Sequence, residues 1–486
     1  MRQKTKKLSV LFSASEAALL AKVGGLGDVI ESLPKALRAL GVDARIILPR
    51  YQMIDVASLR SIKTMTVAVG DTAEPVTIYE GVVPGSTTPV YLLDHPRYLS
   101  SGGIYFDPSA FVSQFAEVER FLFFSLAVAQ FLREGIFVPD IVHCHDWHTG
   151  FIVHLIKKHN LARKSIFTIH NLANQGQWNS AEVVSFLFGA EGHAADFYTS
   201  TNGQINLMAE GIANCDMLTT VSSTYAKEIL TPEFGVKLEA LIHTRKRSLA
   251  GIVNGIDVDF FDPSRNPHIT HYSVRVPKNK GMNKAAVQKK FGFAQDPAVP
   301  LLAVVSRLTS QKGIDLILPI AETLFRDHGC QMVVLGRGDP KIESALRDLA
   351  ARWPHQMALD AEFSEAVANL IYAGSDIFLV PSRFEPCGLT QMIANRYGTI
   401  PVVRKTGGLA DTIQNYRLRA SAVLGNGFVF GPYESKALLM AVKRALQVYR
   451  NDREDWGKLM RNAMKKDFSW HTSAKEYLRL YQKLMK

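Results

Sequence analysis

Arg307 and Lys312 stand five residues apart in Ser306-Arg307-Leu308-Thr309-Ser310-Gln311-Lys312-Gly313, directly behind the apolar run Leu301–Val305. A planar guanidinium fork and a compact ammonium delivered to one loop suit a phosphate-bearing ligand. The run ahead of them reads as a buried strand, and ligands of open α/β sheets bind at the carboxyl ends of such strands. Taken alone, the segment reads first as a solvated basic loop. Other segments of the same design change that reading.

Lys22-Val23-Gly24-Gly25-Leu26-Gly27-Asp28 lies between a first strand and a helical pattern. Glycines there let backbone N–H groups approach an anion at a helix start, although a plain tight turn explains the segment as well. It is neither GxGxxG nor a P-loop. His143-Cys144-His145-Asp146-Trp147-His148-Thr149-Gly150 invites a metal reading, but no second ligand cluster completes a site. Trp147 beside Asp146 instead suits a sugar, with an aromatic face for C–H groups and a carboxylate for hydroxyls. Thr168-Ile169-His170-Asn171-Leu172 ends the next strand and brings His170 to the same place. Asn254-Gly255-Ile256-Asp257 needs no role beyond a turn. Pro381-Ser382-Arg383-Phe384-Glu385-Pro386-Cys387-Gly388-Leu389 follows another apolar run, with Gly388 opening a helix. Pro401 to Asp411 repeats strand, cations (Arg404, Lys405) and paired glycines (Gly407, Gly408). Glu385, among groups suited to phosphate, is reserved for hydroxyls, since a carboxylate repels an anion.

The elements that carry these groups alternate as βα units of a parallel sheet. First-half strands are expected at Ser9–Phe12, Ala44–Leu48, Val90–Leu93, Asp140–Cys144, Ser165–Ile169, Met217–Val221 and Ala250–Val253. Helical spacing covers Asp28 to Leu40 and Phe111 to Arg133, the latter apolar enough to be buried. After the polar stretch Asp257 to Asn283, a second series offers Leu301–Val305, Met332–Leu335, Ile377–Val380 and Pro401–Val403. A last helix, about Thr472 to Lys486, has an apolar face that something must cover.

With 486 residues, two domains of roughly 200 to 250 residues are expected. The net charge of +11 is scattered, a field favouring anionic substrates and not a nucleic-acid stripe. Four dispersed cysteines argue for a reducing compartment, here the cytoplasm, and against a zinc ribbon or a disulfide framework. The basic start and the short apolar stretch Leu8–Ser15 imitate a signal peptide, but Glu16 follows too closely, and a strand is the better reading. No 18-residue apolar run predicts a membrane span.

Together, Lys22–Asp28, His145–His148, Thr168–Leu172, Asn254–Asp257, Ser306–Asp315, Pro381–Gln391, Thr406–Asp411 and the tail Asp467-Phe468-Ser469-Trp470 closely resemble bacterial glycogen synthases and plant starch synthases. The resemblance implies an α/β GT-B fold of two Rossmann-like domains facing across a deep cleft. Residues 1–255, completed by a helix over 466–486, would form the acceptor side, and 256–465 the nucleotide-sugar side. It implies retaining transfer of glucose from ADP-glucose to the non-reducing 4-hydroxyl of glycogen or another α-1,4-glucan. No cofactor, metal, nucleic acid or membrane is implied.

By position, Arg307 and Lys312 would hold the diphosphate, assisted by Lys22, Gly24, Gly25 and the Thr406, Gly407, Gly408 loop. His170 and Asn254 would contact the donor glucose, and Glu385 its hydroxyls and developing charge. Asp146 and Tyr105 would sit on the acceptor side. Phe363 would stack on the adenine, where a tyrosine is usual. Ile393 stands eight residues after Glu385, where many related retaining transferases carry a second glutamate that this family normally lacks, and Met1–Lys7 is unmatched. UDP-glucose as donor, a non-transferring relative such as a nucleotide-sugar epimerase, and an inactive glucan-binding protein are the alternatives. A phosphorylase would need a pyridoxal-phosphate context that is missing.

Overall fold

Strand Ser9–Ser13 is buried at every position and pairs in parallel on both sides, with Asp43–Pro49 and Ile141–His145. The computed structural model in which this is seen describes residues 7–105, 115–189, 197–198, 202–362, 364–420 and 422–486. The chain divides into two units: Met1–Gly255 with Trp470–Lys486, and Ile256–Ser469.

In the first unit the sheet order is Leu249–Gly251, Met217–Thr220, Lys164–Ile169, Ile141–His145, Ser9–Ser13, Asp43–Pro49, Pro89–Asp94, Thr72–Val82, Arg60–Val69. All neighbours are parallel up to Pro89–Asp94; the last two strands join antiparallel. Alternation along each strand splits the core. Leu11, Ile47, Val142 and Cys144 face one layer, with helix Phe115–Arg133. Val10, Phe12, Ile46 and Leu48 face the other, with helices Gly25–Ala39 and Trp470–Leu484. Tyr477 and Tyr481 supply the covered face of that last helix; both are fully buried. Burying one such large side chain stabilises by roughly 1.5–3 kcal/mol.

The second unit is built on an all-parallel sheet, ordered Met357–Asp360, Gln331–Leu335, Leu301–Val305, Ile377–Val380, Ile400–Arg404, Phe428–Phe430. Strands Leu301–Val305 and Ile377–Val380 are buried on both faces, which is why they read as continuous apolar runs. Helix Ile314–Arg326 buries Ile314, Ile317, Ile320, Ala321 and Leu324, repeating at three and four residues. The polar turns that follow the two central strands therefore emerge at one end of the sheet. Among the described residues no helix is long and apolar enough to cross a membrane.

Candidate active site

In the second unit, two strand-end loops are laced together by their backbones. Arg383 N–H donates to Gln311 O at 2.8 Å, and the Gln311 side-chain amide donates to Phe384 O at 3.3 Å. Gly313 (φ 73°) permits the approach, since a Cβ there would lie 2.2 Å from Pro381 O. The consequence is a side-chain pair: Lys312 Nζ donates to Glu385 Oε1 at 2.9 Å and Oε2 at 2.7 Å. Buried Ser382 donates its hydroxyl to Oε2 at 2.9 Å. The Lys312 and Glu385 side chains are 19% and 8% exposed, so the pair is largely removed from water. Lys312 is thus held in place beside a carboxylate. Arg307 is exposed and carries no ion pair among the described residues.

The Thr406–Gly408 segment acts differently from a glycine cradle. Gly408 N–H donates to Glu385 O and Pro386 O, each at 3.1 Å. A Cβ on Gly407 would lie 1.9 Å from Glu385 O, and one on Gly408 2.1 Å from Cys387 O. These glycines let the start of helix Gly407–Thr412 press against the Glu385 backbone, so they position the carboxylate. Thr406 is buried at the helix N-cap position. Gly388 (φ 73°) lies outside the helix it was expected to open, which runs Thr390–Arg396. Phe363 lies outside the described residues.

In the first unit, the glycine loop already holds an anion of the chain's own. Glu16 Oε2 accepts N–H groups of Val23 and Gly24, both at 2.7 Å, and Tyr105 donates its hydroxyl to Oε1. Glu16 is only 3% exposed. The N–H of Gly24 is therefore engaged, while Gly25 begins helix Gly25–Ala39 without a side-chain cap. Lys22 is ion-paired with Asp28 at 2.7 Å. Burial and the Glu16 charge push the Tyr105 phenol well above its usual range. Sequence reasoning used Glu16 only to argue against a leader. Its place three residues past the end of a strand and just before a glycine loop was the available signal.

His143, His145, Asp146 and His170 are brought together as the strands Ile141–His145 and Lys164–Ile169 run side by side. Strand Ile141–His145 continues through both histidines, and their rings lie 4.2 Å apart on one face. His143 is hydrogen-bonded on both nitrogens, with Tyr481 Oη at 2.8 Å and Thr168 Oγ1 at 2.6 Å. His145 Nδ1 meets His170 Nε2 at 2.9 Å. Asp146 (φ 57°) is buried and its Oδ1 accepts the His170 N–H at 2.7 Å. Burial raises the Asp146 carboxyl to about 7, against the lowering effect of the backbone donors from His170 and Asn171. Burial lowers His170 to about 3 and holds His143 and His145 well below the ordinary histidine value, so all three are neutral.

Trp147 does not present a sugar-binding face: it is 6% exposed, and a Cβ on Gly176 would lie 2.1 Å from its ring. Its indole is core packing against Phe121. Asn254 is buried with Oδ1 lacking a partner among the described residues, an acceptor kept without a protein donor. Among the described residues no group of three or more His, Cys, Asp or Glu is placed to hold a metal ion.

Two Rossmann-like units, with cations and a carboxylate collected at the strand ends of the second, define a glycosyltransferase of the GT-B class. Residues 9–244 match the family model described as starch synthase catalytic domain, and residues 286–463 that of glycosyl transferases group 1. Glycogen synthase of Desulforudis audaxviator (strain MP104C) is 42% identical over 99% of this chain and 97% of that protein. That of Geobacillus stearothermophilus is 39% identical over 99% and 98%. The catalytic domain of starch synthase IV from Arabidopsis thaliana, bound to ADP and acarbose, matches with TM-score 0.87 at 33% identity, covering 99% of this chain and 100% of that one. The chain belongs to the glycogen synthase and starch synthase family.

Proposed function

We propose that the chain transfers glucose from ADP-glucose to the non-reducing 4-hydroxyl of an α-1,4-glucan such as glycogen, with retention of the anomeric configuration and without a metal. The observation that carries the reading is the Lys312–Glu385 pair, with Arg307 five residues upstream and without an ion pair among the described residues. Breaking the glycosidic bond separates a positive, oxocarbenium-like sugar from a negative diphosphate. Arg307 and Lys312 stabilise the departing diphosphate, and each such preorganised donor contributes about 2 to 4 kcal/mol. Glu385 faces the sugar hydroxyls and the positive charge that develops on the ring. Lys312 keeps its carboxylate compatible with a nearby anion by neutralising it.

His170 and Asn254 contact the transferred glucose. Asp146 acts through His170, whose backbone it holds, and Tyr105 serves the acceptor while anchored on Glu16. The starch synthase IV relative bound to ADP and acarbose, a nucleoside diphosphate and an oligosaccharide, supports the pairing of ligand classes. The test is ADP release and glucan elongation with ADP-glucose and UDP-glucose in competition, with excess chelator. Transfer from ADP-glucose that survives chelation and yields α-linked product supports the reading. Preference for UDP-glucose or dependence on added metal contradicts the corresponding part.

A further inference from the structure

We propose that His145 is a positioning residue that fixes the tautomer of His170, so that His170 carries its proton on Nδ1 and presents an N–H donor from that nitrogen. The two rings meet at 2.9 Å, His145 Nδ1 to His170 Nε2, and only one proton fits between them. Which nitrogen of an imidazole is protonated is set by the bond its other nitrogen makes. The deciding fact lies on the far side of His145. That ring is fully buried, and its Nε2 has no hydrogen-bond partner among the described residues.

A proton on His145 Nε2 would be an orphan N–H in the core, packed between Phe12 and the His143 ring. Orphan buried N–H groups are rarer than under-used acceptors. The proton therefore sits on Nδ1 and is donated to His170, leaving a bare lone pair at Nε2. His143 cannot relieve this, because both of its nitrogens are already bonded to Tyr481 and Thr168. With Nε2 of His170 accepting, its proton belongs on Nδ1, which has no protein partner among the described residues. Asp146, holding the His170 backbone N–H at 2.7 Å, fixes where the ring starts from.

The use of that N–H rests on the proposed transfer: it donates to a sugar oxygen, and the site refuses a sugar that offers no acceptor there. The assignment of the proton does not rest on it. Two-bond ¹H–¹⁵N correlation of the ligand-free protein, with His170 identified by its loss in His170→Phe, reads the tautomer directly. The expected result is Nδ1–H in the wild type and a change toward Nε2–H in His145→Phe, which keeps an aromatic ring and removes the donor. His145→Asn restores a donor near the Nδ1 position and returns Nδ1–H. Glucosyl transfer gives the second readout. kcat falls about tenfold to a hundredfold in His145→Phe and recovers in His145→Asn, with KM for the donor moving less. Nε2–H in the wild type, or a tautomer unmoved by His145→Phe, overturns the proposal. If His145→Phe does not fold, the wild-type spectrum decides alone. The expected tautomer shift with unchanged turnover supports the assignment and contradicts the role of His170 in transfer.

Discussion

The ammonium of Lys312 lies 2.7 Å from the carboxylate of Glu385, joining two groups that stand 73 residues apart in sequence. Each belongs to a loop leaving a central strand of the second unit, and Gly313 and Gly407 allow the backbones to approach closely enough for the pair to form. The pair is more than an ion bridge. On the proposed transfer, it sets a cation for a diphosphate and a carboxylate for a sugar in one fixed geometry.

Lys312→Ala is expected to lower kcat by about a hundredfold to a thousandfold, from loss of one preorganised charge. It also leaves Glu385 buried without its ammonium, a situation that destabilises by about 3–5 kcal/mol. Glu385→Gln keeps the Ser382 contact and removes the charge, so it costs less stability while turnover still falls. Steady-state kinetics and thermal unfolding of both variants and the double mutant measure the coupling.

Arg307 gives the contrasting case. Exposed and without an ion pair among the described residues, it contributes little to the fold, and Arg307→Ala should leave stability within about 0.5 kcal/mol of wild type. Transfer should nonetheless fall by about a hundredfold or more. Arg307→Lys should recover part of that loss, since a point charge replaces the fork. Parallel measurement of melting temperature and kcat/KM checks the separation.

Gly407→Ala and Gly408→Ala place a methyl group 1.9 Å from Glu385 O and 2.1 Å from Cys387 O. Something must shift, and the affected backbone carries Glu385. Gly407, with φ 42°, adds strain of about 1 kcal/mol or more for any other residue. Both variants should lose transfer, with reduced stability, whereas Gly431→Ala, where nothing lies within 4 Å, should not.

The buried histidines are expected to make the fold acid-sensitive. Burial lowers His148 and His170 to about 3 and His143 and His145 well below their usual value. Below about pH 6.5 the unfolded chain takes up protons that the folded chain refuses, so stability falls as pH drops from about 6.5 toward 3. Asp146 acts in the opposite sense. Its carboxyl, raised to about 7 by burial, stays protonated where the unfolded chain has lost the proton, so its contribution falls as pH rises from about 4 to 7. Melting temperature against pH for wild type and Asp146→Asn separates the two, and the variant should lose stability more steeply on acidification across pH 7 to 4.

Much of this was legible before any coordinates. Strands buried on both faces show as unbroken apolar runs, which is why Leu301–Val305 and Ile377–Val380 read directly. Hairpin Arg60–Val69 with Thr72–Val82 escaped because it forms the exposed edge of its sheet and much of its surface is polar. Short strands Met357–Asp360 and Phe428–Phe430 owe their state to neighbours and not to their own residues.

Among the candidate residues, motifs brought Arg307, Lys312 and Glu385 of the second unit and His170 of the first into view. Contacts made only by the folded chain decided the rest. Trp147 looked like a sugar platform and is core. Gly408 looked like a phosphate cradle, yet its N–H supports the Glu385 loop. Glu16 carried no recognisable role until the glycine loop folded over it.

The central claim is that Arg307 and Lys312 together supply the charge stabilisation that a metal would otherwise provide. The most direct measurement is kcat for ADP release from ADP-glucose with glycogen as acceptor, in chelator, for wild type, Arg307→Ala and Lys312→Ala. The account predicts full wild-type turnover under chelation and losses of about a hundredfold or more in each variant. Turnover that disappears with chelator and returns with a divalent cation, or near-normal turnover in either variant, would contradict it.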